Sequence, residues 1–392
     1  MTPSAAIYLD NAATTRLDPE VLEAMLPLMT EQFGNPSSIH SHGRMVRTAI
    51  EKARKTVASL LNTSPAEIFF TSGGTEADNT AIRSSIETYG LTHAVTSPLE
   101  HHAVLHTLQH LEKQGIIRLS LVDIDEKGHI DLANLEELLR QSPRSLVSLM
   151  HGNNEIGNLL NLNRVGEICR AYDAIFHSDT VQTMGHFRHN LQQLPVDFIV
   201  GAGHKFHGPK GVGFLYVNAD QVKIHPFLHG GAQERNMRGG TENVYGIVGL
   251  AKALEIAYRD MDAHRQHITS LKQRMIQRLR EKMPDCAGGP VTFNGDSADI
   301  DNSLYTVLNV SLPPSDLSDM LLFSLDIARI SASGGSACSS GSNVGSHVLA
   351  ALPNIDPDRG YVRFSFGKYN TAEEIDYAID TLVGLYQKEL VK

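Results

Sequence analysis

The 392 residues leave room for two or three domains, at roughly 150 residues each, and a content of 41% hydrophobic and 20% charged residues excludes wholesale disorder. A formal charge of -10 with no block of lysines or arginines excludes a nucleic-acid surface built on charge, and no apolar run approaches the ~20 residues of a membrane-spanning helix. Three scattered cysteines, Cys169, Cys286 and Cys338, make neither a disulfide framework nor a CxxC metal site. Together with an N-terminus that has no basic or apolar leader, they point to a reducing, cytoplasmic compartment.

Along the chain, Asp18 and Pro19 make a cap and first-turn pair ahead of a helix over residues 21–29, and a longer helix is predicted over 43–61. A strand over 67–71 runs into a glycine-rich turn and a helix from about Thr75. Strands are then predicted at 93–97, 146–150, 174–177, 196–201 and 211–217, with a helix over 165–171. Strands spaced by helices call for a mostly parallel sheet covered on both faces. Residues 245–283 read as one long helix. Strands near 304–310 and 361–366 and a closing helix over 372–390 make a second, smaller α/β lobe, with the boundary near 260–262.

The candidate functional residues fall at the ends of these strands, where open α/β sheets bind ligands. In Thr71-Ser72-Gly73-Gly74-Thr75-Glu76 a strand passes through two glycines into a helix, which gathers free amides, a hydroxyl and the positive helix end at one point and suits a phosphate. It lacks the lysine of a Walker A loop, and an ordinary strand-to-helix turn is the alternative. Lys205 follows an apolar strand and precedes a turn rich in Gly and Pro; partly desolvated there, a lysine loses its proton and forms a Schiff base. The alternative is a solvated loop lysine, and Lys210 meets the same criterion while looking less buried. Asp179 ends another strand and is either a helix cap or, beside a phosphate turn and a Schiff-base lysine, the partner of a pyridinium nitrogen. Of His101 and His102, one imidazole is placed to stack on a planar ring while the other caps or faces solvent. Asn153-Asn154-Glu155 is open between a turn and a site. Cys338, in a stretch of Gly and Ser over residues 331–342, is the one cysteine outside any helical or apolar pattern. It reads either as a nucleophile on a mobile loop or as an accidental loop cysteine. Cys169 sits in a predicted helix and reads as core.

These motifs carry a resemblance. The run from YLDNAATT at Tyr8 through FGNPSS, FTSGGTEADN, EHHAV, HGNNEIG, GHKFHGPKG, MRGGTEN and GGSACSSGS to VRFSFGKYN at Val362 resembles the cysteine desulfurases of the class V aminotransferase group, the NifS and IscS type, which use pyridoxal 5'-phosphate. The resemblance implies an α/β fold of PLP fold type I, with a large, mostly parallel, seven-stranded sheet domain over 15–260. A small α/β domain over 1–14 and 261–392 would carry the cysteine loop, and the molecule would be a homodimer.

It also implies roles. Lys205 would hold the cofactor as a Schiff base, Asp179 would keep the pyridine nitrogen protonated, His101 would stack on the ring and handle protons, and Gln182 would approach the phenolic oxygen. Gly74, Thr75 and His204 would hold the phosphate, with Thr241 reaching in from the other subunit. Asn154 and Arg363 would hold the substrate α-carboxylate, and no metal would be needed. Cys338 would take the sulfur of L-cysteine as a persulfide, releasing L-alanine, for delivery to an acceptor protein in iron-sulfur cluster assembly or other sulfur trafficking. No membrane and no nucleic acid would be involved.

Three departures stand out: Ala202 replaces a serine that many relatives place on the phosphate, Gly152 replaces a more typical valine, and the chain ends at Lys392 without the tail that housekeeping relatives use to dock a scaffold. Within the same fold the alternative activity is a selenocysteine lyase or another PLP-dependent lyase or aminotransferase. In a different class, it is a non-catalytic subunit that binds a sulfur-transfer partner.

Overall fold

The structure is a computed structural model that describes residues 6–142, 144–283, 290–334 and 345–390. The chain opens with β1 (Ile7–Tyr8), α1 (Pro19–Thr30) and α2 (Ser41–Leu60). The Asp18 carboxylate accepts the Glu20 amide at the start of α1, and Pro19 supplies a backbone angle already suited to the first turn. Alternation follows: β2 (Ile68–Thr71), α3 (Gly74–Tyr89), β3 (His93–Thr96), α4 (His102–Lys113), β4 (Arg118–Leu121) and α5 (Leu132–Arg140). Then come β5 (Leu146–Ser148), α6 (Leu162–Ala171), β6 (Ile175–Ser178), β7 (Phe198–Ala202) and β8 (Gly213–Val217). Beyond α7 (Val244–Arg259) and α8 (Met261–Lys282) lie β9 (Thr292–Phe293), β10 (Val307–Leu312), α9 (Leu321–Ile327) and β11 (Ile330–Ser331). The last elements are α10 (His347–Ala351), β12 (Gly360–Ser365) and α11 (Ala372–Leu390).

Seven strands form one sheet in the order β2-β8-β7-β6-β5-β3-β4. All pairs are parallel except those of β8, which opposes both β2 and β7. Successive side chains along a strand point to opposite faces, so Ile199 packs with Ile50, Val57 and Leu250 on one face, whereas Val200 packs with Ala77, Ile82 and Val104 on the other. Helices α2 and α7 therefore cover one face, and α3 and α4 the other. This double cover is why β5 to β8 are buried at every position rather than at alternate ones. A second core gathers Ile268 and Met275 of α8, Leu308 and Val310 of β10, Phe364 of β12 and Ile379 of α11, together with Ile7 and Leu9 from the start of the chain. Its sheet is antiparallel, in the order β12-β10-β9, while β1 pairs in parallel with β11.

The predicted long helix over 245–283 is a correction: it is two helices, broken at Asp260, whose backbone (φ -107, ψ 13) ends α7 and precedes α8. The Asp260 carboxylate is taken by the Arg259 guanidinium at 2.7 and 2.9 Å. A one-residue break leaves the apolar period on both sides intact, so the pattern alone cannot reveal it. The strand expected from 304 starts at Val307, because the Leu304 amide instead donates to the Gly157 carbonyl at 2.8 Å.

Candidate active site

Three chain turns, at the carboxyl ends of the edge strand β2 and of the inner strands β6 and β7, build the site. β2 passes into α3 through Gly73, where no side chain caps the helix, so its first amides stay open. A Cβ on Gly74 would meet Val181 Cγ2 at 2.7 Å, so only a glycine lets the start of α3 approach the turn after β6 this closely. That turn begins with Asp179, whose Oδ1 accepts the Val181 amide at 2.9 Å while the side chain stays buried against the cavity. The helix-cap alternative for Asp179 is corrected, since no helix lies between β6 and β7; the side chain closes a turn and faces the cavity. β7 ends at Ala202 and tightens into a short 3-10 turn over Gly203–Lys205, which projects Lys205 toward the same space.

Every predicted cofactor or substrate residue except Thr241 lines one cavity of about 200 Å³. Gly74, Thr75 and His101 come from the starts of α3 and α4, and Asn154, Asp179, Gln182, His204 and Lys205 from the loops after β5, β6 and β7. Arg363 enters from β12 of the small sheet. Lys210, the rival lysine, is exposed and does not line the cavity. Thr241 is exposed on a separate cavity beside Arg238 and Glu242. Cys338 and Cys286 lie outside the described residues, and Cys169 is buried with its thiol pushed up by burial.

The pair His101-His102 corrects the expectation that one ring faces the site while the other caps or faces solvent. His101 does both jobs: its Nδ1 accepts the Ala103 amide at 3.1 Å to cap α4, and its ring lines the cavity. Burial holds its pKa below the usual value, with Asp179 opposing and Lys205 adding to the depression. The neutral ring with Nδ1 accepting is therefore assigned its proton at Nε2. His102 instead stacks on His106 with centroids 4.3 Å apart and meets His347 at 3.0 Å. The neighbouring asparagines also divide their work. The Asn153 side chain closes the turn by accepting the Glu155 and Ile156 amides, whereas Asn154 lines the cavity.

Sequence reasoning did not assign the part played by the N-terminal segment over residues 10–15. Lys205 Nζ donates to the Ala12 and Ala13 carbonyls at 2.5 and 3.0 Å, and Gln182 Nε2 donates to Ala12 O at 3.0 Å. Thr14 Oγ1 lies 3.1 Å from His204 Nδ1, while Thr15 Oγ1 donates to His204 O and accepts the His207 amide. Asp10 pairs with Arg363 at 2.8 Å. The segment thus touches four site residues, partly through backbone carbonyls that carry no sequence signature.

Two buried acids were also missed. Burial, then Asp179 and then Glu100, pushes the Asp78 carboxyl well up; burial likewise raises Glu100, although one of its oxygens accepts the Met150 amide at 2.8 Å. Asp78 Oδ1 lies 3.3 Å from His177 Nε2, and among the described residues neither atom has a hydrogen-bond partner. Asp78 was findable: it lies three residues beyond Thr75 on α3, hence on the same helix face. Of the departures, Ala202 lines the cavity with no hydroxyl to offer. Gly152 has a steric reason, since a Cβ there would meet Thr183 Cγ2 at 2.6 Å, where a valine does not fit.

The family model for aminotransferase class-V matches residues 7–378. The chain belongs to that family. It is 43% identical over 386 residues to the cysteine desulfurase IscS of Dictyoglomus turgidum, covering 97% of this chain and 95% of the relative. To the cysteine desulfurase IscS of Methanosarcina thermophila it is 41% identical over 392 residues, covering 99% and 93%. A solved NifS-like protein superposes with a TM-score of 0.87 at 36% identity, over 97% of this chain and 99% of the other. A cysteine desulfurase from Thermococcus onnurineus superposes with a TM-score of 0.85 at 26% identity, over 98% and 95%.

The fold is therefore PLP fold type I, and pyridoxal 5'-phosphate is the cofactor. The residues present fit it: an uncapped helix end suits the phosphate, Lys205 reaches the cavity as the amine for a Schiff base, and Asp179 presents a buried carboxylate suited to a protonated ring nitrogen. No helix among the described residues is long and apolar enough to cross a membrane.

Proposed function

We infer that this class V enzyme is a cysteine desulfurase, taking sulfur from L-cysteine and releasing L-alanine. The observation that carries the reading is the meeting of Lys205 and Asp179, from the ends of adjacent strands β7 and β6, with the open end of α3 and with Arg363 in one cavity. When bound, pyridoxal 5'-phosphate supplies an electron sink for bonds next to the amino group. Gly74, Thr75 and His204 would hold its phosphate, and Asp179 would keep the ring nitrogen protonated. His101, with Nε2-H available, would stack on the ring, and Gln182 would donate toward the phenolic oxygen. Arg363 and Asn154 orient the α-carboxylate of the amino acid; they are already joined by the bond from Arg363 Nη1 to Asn154 O at 3.0 Å. Lys205 is the amine that moves protons at the substrate α-carbon.

We assign the sulfur-accepting thiol to Cys338. The step balances: L-cysteine and the Cys338 thiol become L-alanine and a Cys338 persulfide, with no external oxidant or reductant. The persulfide then passes its outer sulfur to an acceptor protein, in iron-sulfur cluster assembly or another sulfur-trafficking route, in the cytoplasm. A homodimer is part of the reading. Leu22, Leu26 and Met29 on α1, with Phe33 and Ile39 beyond it, are exposed apolar residues of the kind a second copy would cover, and the exposed Thr241 would then serve the partner's phosphate. We divide the chain into a large domain over 15–260 and a small one over 1–14 and 261–392, supported by the break at Asp260 and the separate second core.

The test is direct. The protein reconstituted with pyridoxal 5'-phosphate is expected to form alanine from L-cysteine and to show the visible absorbance of a lysine-bound cofactor. Lys205→Ala should lose both. Retained absorbance in the variant would remove Lys205 from its role, and a wild type that makes no alanine would overturn the reading.

A further inference from the structure

Arg363 is almost wholly buried, and its guanidinium is fixed at two points. Nη1 donates to the Asn154 carbonyl at 3.0 Å and Nη2 to Asp10 Oδ1 at 2.8 Å, while Nε has no hydrogen-bond partner among the described residues. Asp10 is the only carboxylate within ion-pairing distance of Arg363 among those residues. Asp10 is itself held: its backbone bridges to Ser365, two residues beyond Arg363 on the same strand, and the adjacent Asn11 donates to Ser365 O at 3.0 Å. The acid is thus tied through its backbone to the same strand, β12, that carries the arginine.

We propose that Asp10 is a positioning residue for carboxylate recognition: it fixes the plane of the Arg363 guanidinium so that the unused N–H groups meet the α-carboxylate of the amino-acid substrate. The physical case rests on the rigid fork. A planar guanidinium held at one nitrogen still swings, whereas held at two nitrogens it keeps one orientation, and bidentate capture of a carboxylate depends on that orientation. Without Asp10, only the neutral Asn154 carbonyl remains to hold a buried cation, and the guanidinium must reorganise before it can meet a ligand. The inference deepens the reading of Arg363 as the carboxylate clamp and rests on it.

Binding to the cofactor-loaded protein tests this, followed through the change in cofactor absorbance with L-alanine and with L-alaninamide, which keeps the amine and methyl but lacks the carboxylate. For Asp10→Ala the affinity for L-alanine is expected to fall about tenfold, the scale of one charge-assisted hydrogen bond, with that for L-alaninamide unchanged within about twofold. Asp10→Asn, which keeps an acceptor of the same shape, should retain affinity within about threefold of wild type. Equal losses for both compounds, no loss for either, or an Asp10→Asn variant as impaired as Asp10→Ala would overturn the proposal. Failure of the desulfurase reading looks different: the wild type would bind L-alanine in the same titration yet make none from L-cysteine.

Discussion

The strand ends and the N-terminal segment supply the site in opposite ways. Asp179, His204 and Lys205 reach the cavity from loops that leave strands buried on both faces, so their positions follow from a sheet that cannot shift without disturbing two cores. Residues 10–15 belong to no helix and, outside one bridge at Asp10, to no strand; they are held by the groups they serve, including Lys205 Nζ, which donates to two of their carbonyls. The sheet brings reactive side chains, and the irregular segment brings acceptors that hold them still. Replacing a residue in the first region should strike chemistry, whereas replacing one in the second should strike geometry and stability.

Two substitutions sharpen that contrast. Asp179→Ala removes the carboxylate that we propose holds the ring nitrogen's proton and should lower kcat by about a hundredfold or more, the scale for losing one preorganised electrostatic partner, with only the roughly 1 kcal/mol stability cost of the lost hydrogen bond from the Val181 amide. A large fall in midpoint with kcat preserved would show that Asp179 acts as the turn former alone. Thr15→Val keeps shape but strips the hydroxyl that donates to His204 O at 2.9 Å and accepts the His207 amide at 2.8 Å. His204 O keeps the Thr15 backbone amide at 2.8 Å, so the variant leaves the buried His207 amide unpaired, which should cost about 1–3 kcal/mol of stability, read by denaturant unfolding, with kcat of the loaded enzyme within about twofold at saturating cofactor. A kcat collapse in Thr15→Val without loss of stability would erase the distinction between the two regions.

The sequence carried most of the sheet and the strand-end residues, because glycines, an isolated lysine after an apolar strand and a carboxylate ending another are local signals. The residues that escaped have non-local causes. Asp78 and Glu100 acquire their character from burial beside Asp179, which no single stretch of sequence displays. Ala12 and Ala13 act through carbonyls that every residue possesses. The Asp260 break is one residue long, and two-residue strands such as β1 and β11 are too short to show any period. By local signal Lys205 and Lys210 differed only in how buried they looked; the resemblance chose Lys205, and the fold leaves that one at the cavity and Lys210 exposed.

The most direct test of the central claim compares the pyridoxal 5'-phosphate-loaded wild type with its Cys338→Ala variant, measuring alanine and sulfide formed from L-cysteine in the presence of a thiol reductant. The account predicts both products from the wild type and neither from the variant, whose cofactor absorbance stays intact. A variant that matches the wild type would contradict it, since sulfur would then leave the substrate without passing through Cys338.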